Sequence, residues 1–285
     1  RGDAASEAAW PAARRAPAPW AELEGLHIVL TVPSEAVRDL ADPAPVLAYW
    51  DAVVEGHCDL AQVPVPARRE RFVPDRQISA GYMHAGYPIM MHMDVVAAPD
   101  DGAPALLDLE RLRRRGSWGH FHELGHNRQR AWWTFEGTGE VTCNLFSLHA
   151  GEQMAGIPPW DNPWLAAQKR RAAPYLARGA PFAEWRRDPG LALILFAQMQ
   201  REFGWEPFRR WFAECEALPD SERPRTDQQK IDGWVRGMSR ATGRDLRPFW
   251  SRWGAPLGAA LRTDAELDAL PAWMPDFDDL ADGGR

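Results

Sequence analysis

The spacing of apolar positions changes character along this chain and divides it into two parts. Residues 27–32 (HIVLTV) form a nearly unbroken, β-branched apolar run that predicts a strand. Residues 71–74 and 77–82 are further strand candidates. In 88–96 His92 and Asp94 alternate with apolar neighbours, the period of a strand. Ser34 is placed to cap a helix beginning near Glu35, and 45–55 predicts another helix. The prolines in 62–66 predict an extended loop. From Leu106 onward the period is helical. Helices are predicted over 106–115, 117–132, 139–154, 163–177, 190–203, 207–217, 227–242 and 246–253, some separated by prolines at 158–159 and within 219–224. This pattern predicts an α+β fold, with a small N-terminal α/β lobe over 19–135 and a mostly helical C-terminal lobe over 136–265. Residues 1–18, rich in Ala, Pro and Arg, read as a linker or extension, and 266–285 as a C-terminal tail.

Composition narrows the function classes. The 285 residues can bury a substantial core, and 45% hydrophobic with 26% charged residues is the balance of an ordinary soluble protein. A formal charge of −7 gives no footing for nucleic-acid binding. The basic run 111–115 reads as a solvated helix face. No apolar stretch is long enough to span a membrane, and 190–197 (GLALILFA) reads as a buried helix. The chain opens at Arg1 with no secretory apolar region, so a mature or excised domain is expected, and a monomer. Cys58, Cys143 and Cys215 are too widely spaced for a disulfide framework or a Cys-rich metal site. Cys143 is expected to be a small buried helix residue. Fifteen tryptophans invite thoughts of sugar stacking, but Trp205, Trp211, Trp234, Trp250 and Trp253 are expected to fill core.

The chemistry lies in His122-Glu123-Leu124-Gly125-His126, an H-E-x-x-H pentapeptide inside a predicted helix. Residues four apart lie on one helix face, so His122 and His126 can offer two imidazole nitrogens to one Zn²⁺. Glu123 projects about 100° round the helix, beside the metal rather than on it, where it can take a proton from water. A catalytic zinc needs a third protein ligand. Glu136 and Glu140 are the two acidic candidates, and Glu140 is preferred. Gly137 and Gly139 permit a sharp turn, and Thr138 is placed to cap a new helix with Glu140 in its first turn. Asn144, one turn on, is positioned to hydrogen-bond a ligating imidazole. His120 points away from the ligand face. Residues 80–93 are the candidate edge for pairing with an extended substrate backbone. Tyr82, His84, Tyr87 and His92 are candidates to stabilise an oxyanion, each with a structural role as its plainer alternative. Trp118, Trp132 and Trp133 flank the metal helix and are candidates for substrate contact. Asn127 is read as a helix-end residue.

Residues 118–129 (WGHFHELGHNRQ) followed by 140–148 (EVTCNLFSL) resemble the M60, enhancin-like, metallopeptidase family of the gluzincin group. Residues 75–90, 242–254, 19–24 and 28–33 resemble further family segments, so the likeness covers about residues 17–260. It implies a zincin-like fold with an active-site cleft between the two lobes. It also implies one Zn²⁺ per chain on His122, His126 and Glu140, with Glu123 as general base. The expected activity is endopeptidase cleavage of polypeptide or O-glycoprotein, mucin-like substrates, outside the cell or at its surface. A related animal branch keeps the domain in ion-channel-associated proteins with a degraded metal motif. All three ligands and the base stand here, which favours an enzyme over a glycoprotein- or partner-binding module with little turnover.

Overall fold

A five-stranded mixed sheet supports the N-terminal part. The computed structural model describes residues 4–97, 105–277 and 280. The strands are β1 (Trp20–Glu24), β2 (Ile28–Pro33), β3 (Glu70–Asp75), β4 (Met83–His84) and β5 (Ile89–His92), in the order β1-β2-β3-β5-β4. The two outer pairs are antiparallel; β2–β3 and β3–β5 are parallel. In β2, Ile28, Leu30 and Val32 are fully buried, as are Phe72 of β3 and Ile89 and Met91 of β5. Their alternation places one face of the sheet on a core, the period-2 consequence of the pleat.

The helices among the described residues are α1 (Ala4–Ala13), α2 (Ala44–Ala61), α3 (Leu109–Arg115), α4 (Trp118–His126), α5 (Gly139–Ala155), α6 (Pro163–Lys169), α7 (Ala172–Ala177), α8 (Phe182–Trp185), α9 (Pro189–Phe203), α10 (Glu206–Ala217), α11 (Asp227–Thr242), α12 (Arg247–Arg252), α13 (Ala259–Arg262) and α14 (Ala265–Asp268). α2 packs on the sheet through Trp50, Val53 and Val54. Its buried Asp51 accepts from the backbone N–H groups of Leu26 (2.8 Å) and His27 (2.7 Å), fixing the β1–β2 turn. Two apolar clusters result. One joins the sheet, α2 and the Phe121–Leu124 side of α4. The other is rich in tryptophan and joins α5 with α9, α10, α11 and α12. α4 and α5 cross the seam between them. Gly125 makes that possible, since a Cβ there would lie 2.5 Å from the Cys143 carbonyl oxygen.

The mixed α+β class expected from the apolar periods is the one observed; several elements differ. The stretch expected as a linker contains α1, and Trp10 Nε1 donates to the Leu40 carbonyl at 2.9 Å. Ser34 begins a single 3₁₀ turn, not a helix. Residues 77–82 form bends, and only Met83–His84 pair as a strand. β5 stops at His92, where a 3₁₀ turn begins. The metal helix ends at His126 rather than 132, and 163–177 splits into α6 and α7. In the predicted tail, Trp273 packs on Phe249 and Leu267 is buried. The three cysteines are free and buried. None of the described helices is long and apolar enough to cross a membrane.

Candidate metal centre

α4 and α5 bring three lone-pair atoms to one point. His122 Nε2 and His126 Nε2 are 3.0 Å apart. Glu140 Oε2 lies 3.1 Å from the first and 3.5 Å from the second. The tautomers follow from the surroundings. Asn144 Nδ2 donates to the Glu140 carbonyl (2.7 Å), which turns its Oδ1 toward His122 Nδ1 at 2.7 Å. Gln129 Nε2 donates to the Gly139 carbonyl (2.7 Å) and the Thr142 hydroxyl (2.6 Å), which turns its Oε1 toward His126 Nδ1 at 2.7 Å. Each imidazole therefore donates from Nδ1, so that in its neutral form Nε2 is the lone-pair atom and in its protonated form Nε2 donates to Glu140. With both rings neutral, two bare nitrogens and a carboxylate oxygen this close repel one another without a cation between them. Their separations bracket the ~3.3 Å between ligands of a tetrahedral zinc with bonds of about 2.0–2.2 Å. The donor set thus fits Zn²⁺.

The two carboxyl groups are pushed in opposite directions. The contact to His122, and next that to His126, holds Glu140 well below the usual carboxylate range. Burial raises Glu123, against the opposing pull of His122 and His126. Groups separated in this way divide naturally into a permanently ionised ligand and a proton-exchanging base. Cys143 Sγ lies 3.5 Å from His122 Nδ1 but 3.9 Å from Nε2, so it packs on the ring's side. Burial, with the Glu140 and Glu123 charges, pushes its thiol upward, and its sulfur lies within 4.8 Å of the other three donor atoms, a close neighbour of the cluster.

The other sequence candidates fall at varied distances from this cluster. Glu136 pairs with Arg186 (2.6 Å) and stays outside it. His120 is buried between Ser117 Oγ and Met91 Sδ, away from the ligand face. His84 bonds Ser79 Oγ and the Ala85 carbonyl. Tyr87 lies under the Arg68 guanidinium at 3.7 Å. Tyr82 stacks on His92. Trp118 stacks on Trp164. Trp132 is covered by the Arg223 guanidinium at 4.0 Å, and Trp133 is core, packed on Phe212, so neither offers a bare face. Thr138 does not cap α5 through its hydroxyl, which bonds the Phe135 carbonyl instead. Sequence reasoning missed Gln129. Its only signal was an amide one helical turn beyond His126, and the helix ends between them.

Comparison with known proteins identifies the family. The profile of the family peptidase M60, enhancin and enhancin-like, matches residues 4–254. TRPM8 channel-associated factor 2 of Bos taurus is 42% identical over 277 residues, covering 95% of this chain and 29% of that protein. The chain thus spans under a third of this relative's length. A functionally unknown conserved protein from Bacillus anthracis superposes with a TM-score of 0.75 at 25% identity, covering 90% of this chain and 53% of that one. The M60 catalytic domain of Clostridium perfringens ZmpC, in complex with the sialyl T antigen, gives 0.60 at 15% identity, over 90% of this chain and 50% of that one. Carrying the H-E-x-x-H helix, its downstream glutamate and a family match along most of its length, this chain belongs to the peptidase M60, enhancin and enhancin-like, family.

Proposed function

We propose that the chain is a zinc-dependent endopeptidase domain acting on extended polypeptide, with glycoprotein or mucin-like chains as the substrate class. The observation that carries this reading is the convergence of His122 Nε2, His126 Nε2 and Glu140 Oε2 beside a buried Glu123. His122, His126 and Glu140 would hold the ion, and Asn144 and Gln129 keep the two imidazoles in the ligating tautomer. When bound, zinc supplies polarisation of a carbonyl and acidification of water. Glu123 accepts the proton of the attacking water on its carboxylate and delivers it to the departing amine. Its raised affinity for protons, a result of burial, suits it to both halves of that exchange. The substrate backbone would lie along the β4 edge, in the cleft between the sheet-bearing and helical parts. The sialyl T antigen in the ZmpC complex supports the glycoprotein class, and on that reading the domain would act outside the cell or at its surface.

A second reading has its own support. The 42% identity to a channel-associated factor fits a domain that binds a partner protein without turning it over. One experiment separates the two. An O-glycosylated mucin is digested with wild type and with Glu123→Ala, bound zinc is measured in both, and cuts are mapped by mass spectrometry. Cuts made only by wild type, with equal zinc in both proteins, are expected. One zinc per chain and no wild-type cuts on varied glycopeptides would favour the partner-binding module.

A further inference from the structure

The hairpin formed by β4 and β5 is anchored to the metal helix through one asparagine. Asn127 directly follows His126 and closes α4. Its Oδ1 accepts from the Gly86 N–H (3.1 Å), and its Nδ2 donates to the Gly86 carbonyl (3.1 Å). The same Nδ2 donates to Glu70 Oε2 at 3.0 Å. Glu70 begins β3 and forms a buried ion pair with Arg128. The side chain therefore ties β3, the hairpin loop and the end of the metal helix together, using both amide hydrogens and its oxygen. Gly86 has φ +114°, a conformation that only glycine adopts without strain. At the other end of α4, a Cβ on Gly119 would lie 2.9 Å from Met83 Sδ, so the helix sits close against β4. β4 is the last strand of the sheet, and among the described residues its outer edge pairs with no other strand.

We propose that Asn127 is a positioning residue: it holds the free edge of β4 at a fixed offset from the metal ligands, so that a substrate strand added there places its scissile bond over Glu123. The inference rests on the peptidase reading. A strand added to β4 pulls on the exposed loop side of the hairpin, where Tyr82 is 41% and Tyr87 43% accessible. Asn127 transmits that load to the residue next to His126. Only a side chain with both a donor and an acceptor at this reach can grip both backbone groups of Gly86. Asp would keep the acceptor, lose the donors and set a second carboxylate against Glu70.

The test compares wild type, Asn127→Ala and Asn127→Asp as full chains. Hydrogen–deuterium exchange over 79–92, bound zinc, and kinetics on two peptides are measured. One peptide extends along β4; the other stops at the scissile bond. Faster exchange over 79–92 with unchanged zinc is expected in both variants. KM for the long peptide should rise about tenfold, kcat should change less than about twofold, and the short peptide should be unaffected. Unchanged exchange overturns the proposal. So does zinc loss with equal damage to both peptides, because Asn127 would then merely support the helix. A wild type that cuts neither peptide removes the peptidase reading alone, and the exchange result still decides the clamp.

Discussion

The α4–α5 pair and the 79–92 hairpin face the same chemistry with opposite construction. In the pair, Phe121, Leu124, Leu145 and Phe146 are at most 1% exposed, and each ligating histidine is held by an amide that is itself bonded elsewhere. In the hairpin, β5 is anchored by its pairing with β3 and by buried Ile89 and Met91, whereas the β4 edge and the loop are half exposed and held by the Asn127 grip, the Arg68–Tyr87 contact, the Tyr82–His92 stack and short strand pairing. The difference follows from what each must do. Metal ligands tolerate errors of only a few tenths of an ångström, so they stand on packed helices. An edge that pairs with a backbone needs only register, because the main-chain groups of the substrate complete the ladder.

The comparison can be broken most directly at Gly125. Gly125→Ala places a methyl against the Cys143 carbonyl, a backbone atom that cannot swing away. Thermal unfolding should show a loss of about 1–3 kcal/mol, and zinc titration should show weakened affinity. A neutral substitution would mean that the helices are not locked together. Gln129→Ala is the next largest change. It frees the His126 tautomer and should weaken zinc binding by about 10–100-fold with little effect on the melting temperature, as read by chelator competition. Equal affinity would show that backbone geometry alone orients the ring.

The third prediction sharpens the contrast through pH. Burial pushes His57 down to about 4 and His149 down to about 3. His57 sits between the Val53 and Phe121 carbonyls, tying α2 to the metal helix, and His149 lies on α5. Both stay neutral in the fold and take up protons on unfolding once the pH is below their ordinary value of 6.5. Stability is therefore complete above that pH and falls as the pH drops through the window down to the two lowered values. Each histidine should contribute up to about 1.4 kcal/mol per pH unit. Hydrogen exchange at pH 7.5 and 5.5 should show α2, α4 and α5 loosening more than the hairpin. Equal loosening of both regions would sink the assignment.

Much of the local arrangement around the ligands was legible because it is helical and short-range. The His122–His126 spacing fixes a shared face, and the glycine pair at 137 and 139 announces the turn into α5. Asn144 was found because it lies one turn from Glu140 on the same helix. Gln129 and the Asn127–Gly86–Glu70 contact were not, because helix termination and a partner 41 residues away decide them. The aromatic candidates misled for a related reason. Trp132 and Trp133 flank the motif in sequence, yet Arg223 covers one and Phe212 packs on the other, both from distant segments.

The sequence by itself determined the α+β class, the H-E-x-x-H face and the family resemblance, because periodicity and i,i+4 spacing act within one or two turns. Tertiary structure alone decided how closely Glu140 approaches the two imidazoles, that Gln129 orients His126, and that the hairpin is pinned beside His126. Those outcomes depend on how closely α4 and α5 approach and on which charged groups lie across the seam. Packing sets both, and no local pattern in the chain encodes either.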